Sequence, residues 1–577
     1  MGDFFATVKD IAIGMAGHGA FVTTVLRFLF PILAVAILVR CAISLLRFRK
    51  EPEIWGHIAF EDGSRLPVTH WENIIGRTRR SDIQMNFENI YKQHAVLTRY
   101  DDGSWTIGDV GGRGGIAVNG EEITGLTEVG YGDLIDLNGL EVTLVPITDE
   151  EAEYVASCRT NPKHLISPAL TLILMSMYQF FTTVQLMISC DSEYWLSICG
   201  SFLGVFILMW GLFFFNKAMR RSGFEVETIA FFLCSMGLAI IASVDPGELT
   251  KALISMVMGI VLFMIIGFCM RELNTAKKLR YLAAAIGPIL LIATLLLGTE
   301  VYGSKSWIYI GSFSIQPSEL VKISFVFAGA STLDRLMTKR NLFLFILYSG
   351  ICCVLLALCN DFGTAMVYFV TFLVIAYLRS GDFATISLIC AGTGFAGFLA
   401  LKLRPHAAAR FSTWRHIWTS GDAGYQQRMA IMCLASGGLF GLGAGNGKLK
   451  YVFAADSDIV FATVCEEWGL IIGLCCVLYV VCIAMFAVRS ASLCRSSFYA
   501  ISACAAMSIL VFQMVLNVFG TIDFLPFTGV TFPFLSNGGS SMMGTWGLLA
   551  FVKAADTRQN ASFATTVPAH AKRRYSS

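Results

Sequence analysis

Charge is what this 577-residue chain has least of: 15% of its residues are Asp, Glu, Lys or Arg, against roughly 25% in an ordinary soluble domain. With 55% hydrophobic residues and a mean hydropathy of +0.65, that scarcity excludes a soluble globule and implies a polytopic α-helical membrane protein. A basic surplus is missing too. The formal net charge is +2 and the pI near 7.8, so the electrostatic footprint of a nucleic-acid binder is absent. The 17 cysteines contain no CxxC spacing and mostly sit in apolar runs, as Cys234, Cys352 and Cys476 do, which argues for packing thiols rather than a zinc site or a disulfide framework. No convincing inverted repeat is present, which weighs against a transporter or lipid-precursor flippase built from two inverted halves.

What the chain has is apolar runs of the roughly 20 residues that cross a bilayer. Thirteen fall near 21–46, 164–189, 192–215, 226–244, 249–270, 281–298, 318–336, 341–358, 362–378, 383–402, 459–488, 498–519 and 538–556. The first carries Arg27 and Arg40, which must snorkel or pair, and it reads as an uncleaved anchor rather than a signal peptide. Alternating thirteen spans puts the Lys/Arg-rich loops 47–50, 217–221, 271–280, 335–340 and 489–495 on one face, expected to be cytoplasmic. The other face holds 299–317, Asn360 with Asp361, the long segment 403–458 and the stretch 524–541. The expected division is a transmembrane anchor (1–50), a cytoplasmic β-domain (51–150), two added spans (151–225), a membrane core with a large extracytoplasmic loop at 403–458 (226–557) and a cytoplasmic tail (558–577).

Residues 51–150 break the apolar pattern. Short alternating runs separated by Asp102-Gly103, Asn119-Gly120 and Asn138-Gly139, which are hairpin signals, predict a small all-β sandwich. "GRTRRSDI" (76–83), "YKQHA" (91–95), "DVGGRGGIAVNGE" (109–121) and "GDLIDL" (132–137) resemble the forkhead-associated (FHA) domain in order and spacing. The resemblance implies a phosphothreonine-peptide face formed by Arg77 and Lys92, with His94 as a structural histidine. Tyr91 stands where that family has a peptide-binding serine and Gly114 where it has an asparagine, so docking of a cytoplasmic protein partner without phosphothreonine stands beside phosphopeptide reading.

The membrane half carries the chemistry. Glu319 and Lys322 lie one turn apart after "IQPS", and charges in a membrane segment are functional candidates by default. The bland reading is a capped helix start, with Pro317 in the first turn and a local ion pair. Asp456, Asp458, Glu466 and Glu467 fall within twelve residues at the edge of a nearly uncharged run. A carboxylate ionised at neutral pH can act as a general base or hold a divalent cation such as Mg²⁺ or Mn²⁺; singly, each is equally a cap or an ion-pair partner. Upstream, Arg410 and Lys448 flank "GYQQRMAI" and the glycine-rich "ASGGLFGLGAGNGK" (435–448), the composition an anionic, phosphate-bearing substrate needs. Finally "FLPFTGVTFPFLSNGGSS" (524–541) sets a proline-shaped turn and small polar residues before the last apolar run, offering free amides at a helix start or simply close packing.

"YGSKSWIYIGSFSIQPSELVK" (302–322), "NDFGTA" (360–365), "GDAGYQQRMAI" (421–431), residues 451–473 and "LPFTGVTFPFLSNGGSS" together resemble the SEDS family (shape, elongation, division and sporulation), to which FtsW, RodA and SpoVE belong. The resemblance implies a ten-span core, here with about three extra spans. It also implies an inverting glycosyltransferase that polymerises the peptidoglycan precursor lipid II beside a class B penicillin-binding transpeptidase. Asp458 matches the family's essential aspartate, as base or as cation ligand. Glu319, Lys322, Gln426, Ser536, Gly538, Gly539 and Ser540 match recurrent positions around its cavity, with Arg410 and Lys448 as cations for the diphosphate. Ser306, Asn360, Ala454 and Asp456 depart from the family pattern. A catalytically silent scaffold is the remaining alternative, and the retained Asp458 argues against it.

Overall fold

The structure is a computed structural model. It describes residues 19–556 apart from 48–53, 80, 101–102, 110–114, 124, 154–166, 220, 222, 272, 302, 312, 332–338, 381–386, 388, 393, 395–404 and 495. Lipid offers backbone polar groups no partner, so apolar runs satisfy their own as helices. In chain order these are α1 (Gly19–Leu46), then, beyond the β-domain, α2 (Pro168–Ser189), α3 (Trp195–Ala218), α4 (Glu225–Val244), α5 (Leu249–Cys269), α6 (Leu273–Leu297), α7 (Pro317–Ser331), α8 (Lys339–Leu358), α9 (Phe362–Ser380), α10 (Pro405–Thr413), α11 (Tyr425–Gly437), α12 (Val460–Trp468), α13 (Leu470–Ala491), α14 (Ser497–Thr521) and α15 (Gly539–Ala554).

Among the described residues eight helices, α1 to α6, α13 and α14, are long and apolar enough to cross a membrane, and the apolar parts of α8 and α9 are shorter. Helices α7 and α15 run only 15 and 16 residues. The expected run 383–402 lies largely outside the described residues. The run 459–488 is not the single span expected. It breaks at Gly469, whose φ of +93° turns the chain between α12 and α13. A Cβ there would come 2.3 Å from the Leu439 carbonyl oxygen, so only glycine fits.

Helix α4 is the hub, with its whole apolar window buried. The added helices pack on it: Ser44 Oγ donates to Glu225 Oε1 at 2.6 Å and Gln179 Nε2 to Ser235 Oγ at 3.1 Å. Helix α1 also reaches the core through Tyr479, whose hydroxyl donates to the Ala34 carbonyl at 2.9 Å. At the start of α4, Glu227 pairs with Lys553 of α15 at 2.9 Å with both side chains at most 1% exposed.

The β-domain is the expected sandwich. In one sheet Gly56–Phe60 and Leu134–Leu137 flank Glu141–Val145; in the other Glu72–Gly76 and Trp105–Asp109 flank Ala95–Arg99. Ile58, Leu97, Ile107, Ile135 and Leu144 share the core between them. The Asn119-Gly120 and Asn138-Gly139 turns take positive φ at both positions, as tight hairpins need. The sandwich is seated on the membrane half. Glu72 Oε2 accepts from Ser497 Oγ at 2.5 Å, in the first turn of α14, and Trp71 is buried in the helical core.

Removing one partner of a buried pair strands the other charge. Lys553→Ala is expected to lower stability by about 3–5 kcal/mol, read by thermal unfolding in detergent, with most of the loss recovered in Glu227→Gln/Lys553→Met.

Candidate functional site

The turn 454–459 ahead of α12 brings Asp458 to the C-terminal end of α14. Ala454 sits at φ +56°, and its carbonyl accepts from the amide of Asp458 at 3.1 Å. Asp458 is half-buried, and its Oδ2 rests against Gly529, where an added Cβ would lie 3.1 Å away and φ is +66°. Burial pushes the Asp458 carboxyl up to about 6; the Arg410 guanidinium pulls it down, and Asp456 adds to the rise. Arg410 is exposed and donates to the Thr528 carbonyl at 3.1 Å, beside Gly529. The result is a reachable carboxylate that titrates just below neutrality with a cation beside it. A general base needs that pairing of access and pKa.

The polar residues of 524–541 are occupied within the protein. Ser536 Oγ accepts from Phe532 N at 2.8 Å and donates to the Ser457 carbonyl at 2.7 Å. Asn537 Nδ2 donates to Asp456 Oδ2 at 2.7 Å, and its amide bonds the Asp456 carbonyl. Ser540 Oγ accepts from Gln316 N at 3.1 Å. Ser536 and Ser540, expected to touch substrate, are buried and instead hold the 454–459 turn and the start of α7. Gly538 caps α15. A Cβ on Gly539 would come 2.9 Å from Ser255 Oγ, so close packing accounts for that glycine.

Glu319 and Lys322 are also corrected. They form an ion pair of 2.5 Å inside the bundle, 4% and 1% exposed, out of reach of a substrate. Gln426, half-buried, donates to the Phe453 carbonyl at 2.8 Å and so braces the turn leading to Asp458. Lys448 has an exposed side chain, while its amide and that of Leu449 both donate to the Glu466 carboxylate at 2.9 Å. Glu467 Oε2 accepts from Gly445 N at 3.1 Å. Both glutamates therefore hold the glycine-rich loop and are not bases.

In the sandwich, Arg77 and Lys92 are exposed on neighbouring loops, joined by the amide of Arg77 donating to the Tyr91 carbonyl at 3.0 Å and the Thr78 hydroxyl donating to the Lys92 carbonyl at 3.0 Å. His94 is buried; its Nδ1 accepts from Tyr91 N at 3.2 Å, and burial lowers its pKa. Gly114 lies outside the described residues.

The profile of the FtsW/RodA/SpoVE family, described as cell cycle protein, matches residues 228–561, more than half of the chain. The chain belongs to the FtsW/RodA/SpoVE family. A second profile, the FHA domain, matches residues 73–138. This family member is 30% identical over 319 residues to the peptidoglycan glycosyltransferase RodA of Mycobacterium tuberculosis (strain ATCC 25618 / H37Rv), covering 51% of this chain and 67% of that protein. It is 33% identical over 287 residues to the probable peptidoglycan glycosyltransferase FtsW of Shewanella sediminis (strain HAW-EB3), covering 47% and 69%. A chain in a solved peptidoglycan synthase complex shares the fold with a TM-score of 0.50 at 22% identity, covering 57% of this chain and 96% of that one.

The sequence reading missed Asn517 and Gly529. Asn517 had a signal, because it follows Gln513 by one helical turn in an otherwise apolar run. Among the described residues no three His, Cys, Asp or Glu side chains converge to hold a metal. The second acidic side chain of the turn, Asp456, is engaged by Asn537. With Asp456 so engaged, Asp458 is the carboxylate of this turn that would hold a divalent cation.

Glu466→Ala strips two amides of their acceptor. The expected loss is about 2–4 kcal/mol, with faster proteolysis confined to 441–450, both measurable on detergent-solubilised protein.

Proposed function

We propose that this protein is a peptidoglycan glycosyltransferase that polymerises lipid II into β-1,4-linked glycan at the outer face of the cytoplasmic membrane. Asp458 carries the reading, as a half-buried carboxylate with a pKa near 6, set between Arg410 and the 528–541 segment. The names of the relatives support the reaction class. Sidedness is supported by α14, which has the sandwich at its first turn and Asp458 at its last.

The acceptor sugar's hydroxyl loses its proton to Asp458 as its oxygen attacks the donor's anomeric carbon. The carbon–oxygen bond to the diphosphate lipid breaks on the opposite face, so the α-linked donor gives a β-linked product. Charge develops on the leaving diphosphate, and the exposed Arg410 and Lys448 are the cations available to steady it. In the alternative role for Asp458, as the holder of a Mg²⁺ or Mn²⁺ ion instead of the base, the ion would supply Lewis-acid activation of the hydroxyl. The crosslinking partner is a class B penicillin-binding transpeptidase, supported by the fold shared with a chain of a peptidoglycan synthase complex. On the cytoplasmic side the Arg77 and Lys92 face takes an acidic or phosphorylated protein segment.

The test is polymerisation of labelled lipid II by purified protein, alone and with the transpeptidase. Wild type should give glycan ladders, and Asp458→Asn at least about 100-fold less. Ladders unchanged in Asp458→Asn, or absent from wild type with partner and cations present, would overturn the reading. Because the base works ionised, the rate should fall about tenfold per pH unit below pH 6 and level off above it. Arg410 holds that carboxyl down, so Arg410→Ala should move the midpoint upward; a flat profile from pH 5 to 8 would count against Asp458 as base.

A further inference from the structure

Asn517 points inward from an apolar span and is 2% exposed. Its Nδ2 donates to two carbonyls, Asp458 and Val530, each at 2.9 Å. The first belongs to the base itself. The second follows Gly529, the wall against which the Asp458 carboxylate rests. A primary amide is a neutral group with two donors on one planar nitrogen, which is what joining two carbonyls from distant segments requires.

The arrangement has a cost. Asn517 Oδ1 is buried with no hydrogen-bond partner among the described residues, a desolvation cost that a leucine in the same span would avoid. The helix end that carries the amide is itself pinned. Thr521 Oγ1 donates to the Asn517 carbonyl at 2.7 Å, and Gln427 Nε2 to the Gly520 carbonyl at 2.8 Å. Two donors are used, the acceptor is sacrificed, and the base of the side chain cannot drift.

We propose that Asn517 is a positioning residue for glycosyl transfer: it clamps the Asp458 and Val530 carbonyls together and so fixes the base against the Gly529 wall where the acceptor hydroxyl meets it. The proposal rests on Asp458 being the base. Without the clamp the 454–459 turn and the 528–531 segment separate, and a displacement of about 1 Å at a reacting group costs on the order of 100-fold in rate. Arg410 is carried by α10 and Lys448 by the glycine-rich loop, neither of which Asn517 holds, so binding of the diphosphate should persist.

The experiment compares wild type, Asn517→Leu, Asn517→Ala and Asp458→Asn in lipid II polymerisation and in hydrogen–deuterium exchange of the full chain in detergent. Asn517→Leu roughly keeps the side-chain size, removes both donors and buries no charge in the apolar span, so it guards against a variant that fails to fold. The expected result for both Asn517 variants is a 10- to 100-fold lower kcat per folded molecule, KM within threefold, and faster exchange in 454–460 and 528–532 together. Asp458→Asn should lose polymerisation with exchange unchanged. A kcat per folded molecule within twofold of wild type, a loss confined to the amount of folded protein or to KM, or unchanged exchange in those two segments overturns the clamp. A silent wild type with exchange raised in both segments supports the clamp and overturns the glycosyltransferase reading instead.

Discussion

Irregular backbone packed among membrane helices must find its hydrogen-bond partners within the protein, because lipid supplies none. That constraint organises this molecule. The chain from 438 to 459 carries no long helix, yet it packs against α12 and the end of α14. Its amides and carbonyls are met by side chains: Glu466 takes two amides, Glu467 a third, Asn517 and Ser536 donate to the carbonyls of Asp458 and Ser457, and Asn537 engages Asp456. Almost every polar residue near the site is spent in this way. Asp458 stands out because its backbone amide and carbonyl are both anchored while the residue stays partly exposed.

The same constraint explains which parts were legible from the amino-acid order. Long apolar runs and Asn-Gly hairpins are local signals, and among the described residues the hairpins and the runs that form α1 to α6 and α14 survive as expected, while the 459–488 run is broken at Gly469. The roles of Glu319, Lys322, Ser536 and Ser540 were not legible, because the sequence states that a polar residue lies in a greasy segment but not whether its partner is substrate or protein. Their partners decide it, and those of Ser536 and Ser540 come from chain positions dozens to hundreds of residues away. Gly469 was hidden for a related reason. The 459–488 run is apolar apart from Thr463, Glu466 and Glu467, and only the backbone of Leu439 pressed against Gly469 reveals why the helix must break there.

The three added helices are more than a tether for the sandwich. Thr23 of α1 and Ser189 of α2 lie against Gly443 and Gly445, where any Cβ would come within 2.9 Å of them. The glycine-rich loop is thus squeezed between the added helices and the Glu466–Glu467 pair. Its small residues are set by crowding from both sides, which is a different reason from the phosphate cradle that such composition suggests.

Helix α14 ties the two halves of the protein into one length scale. Twenty-five residues at 1.5 Å each make a rod of about 37 Å. One end is hydrogen-bonded to Glu72 of the sandwich and the other to the backbone of Asp458. The β-domain is therefore registered to Asp458 by a single stiff lever whose fulcrum is the packed bundle. A force applied at the strand that carries Glu72 has an address at Asp458, a helix length away.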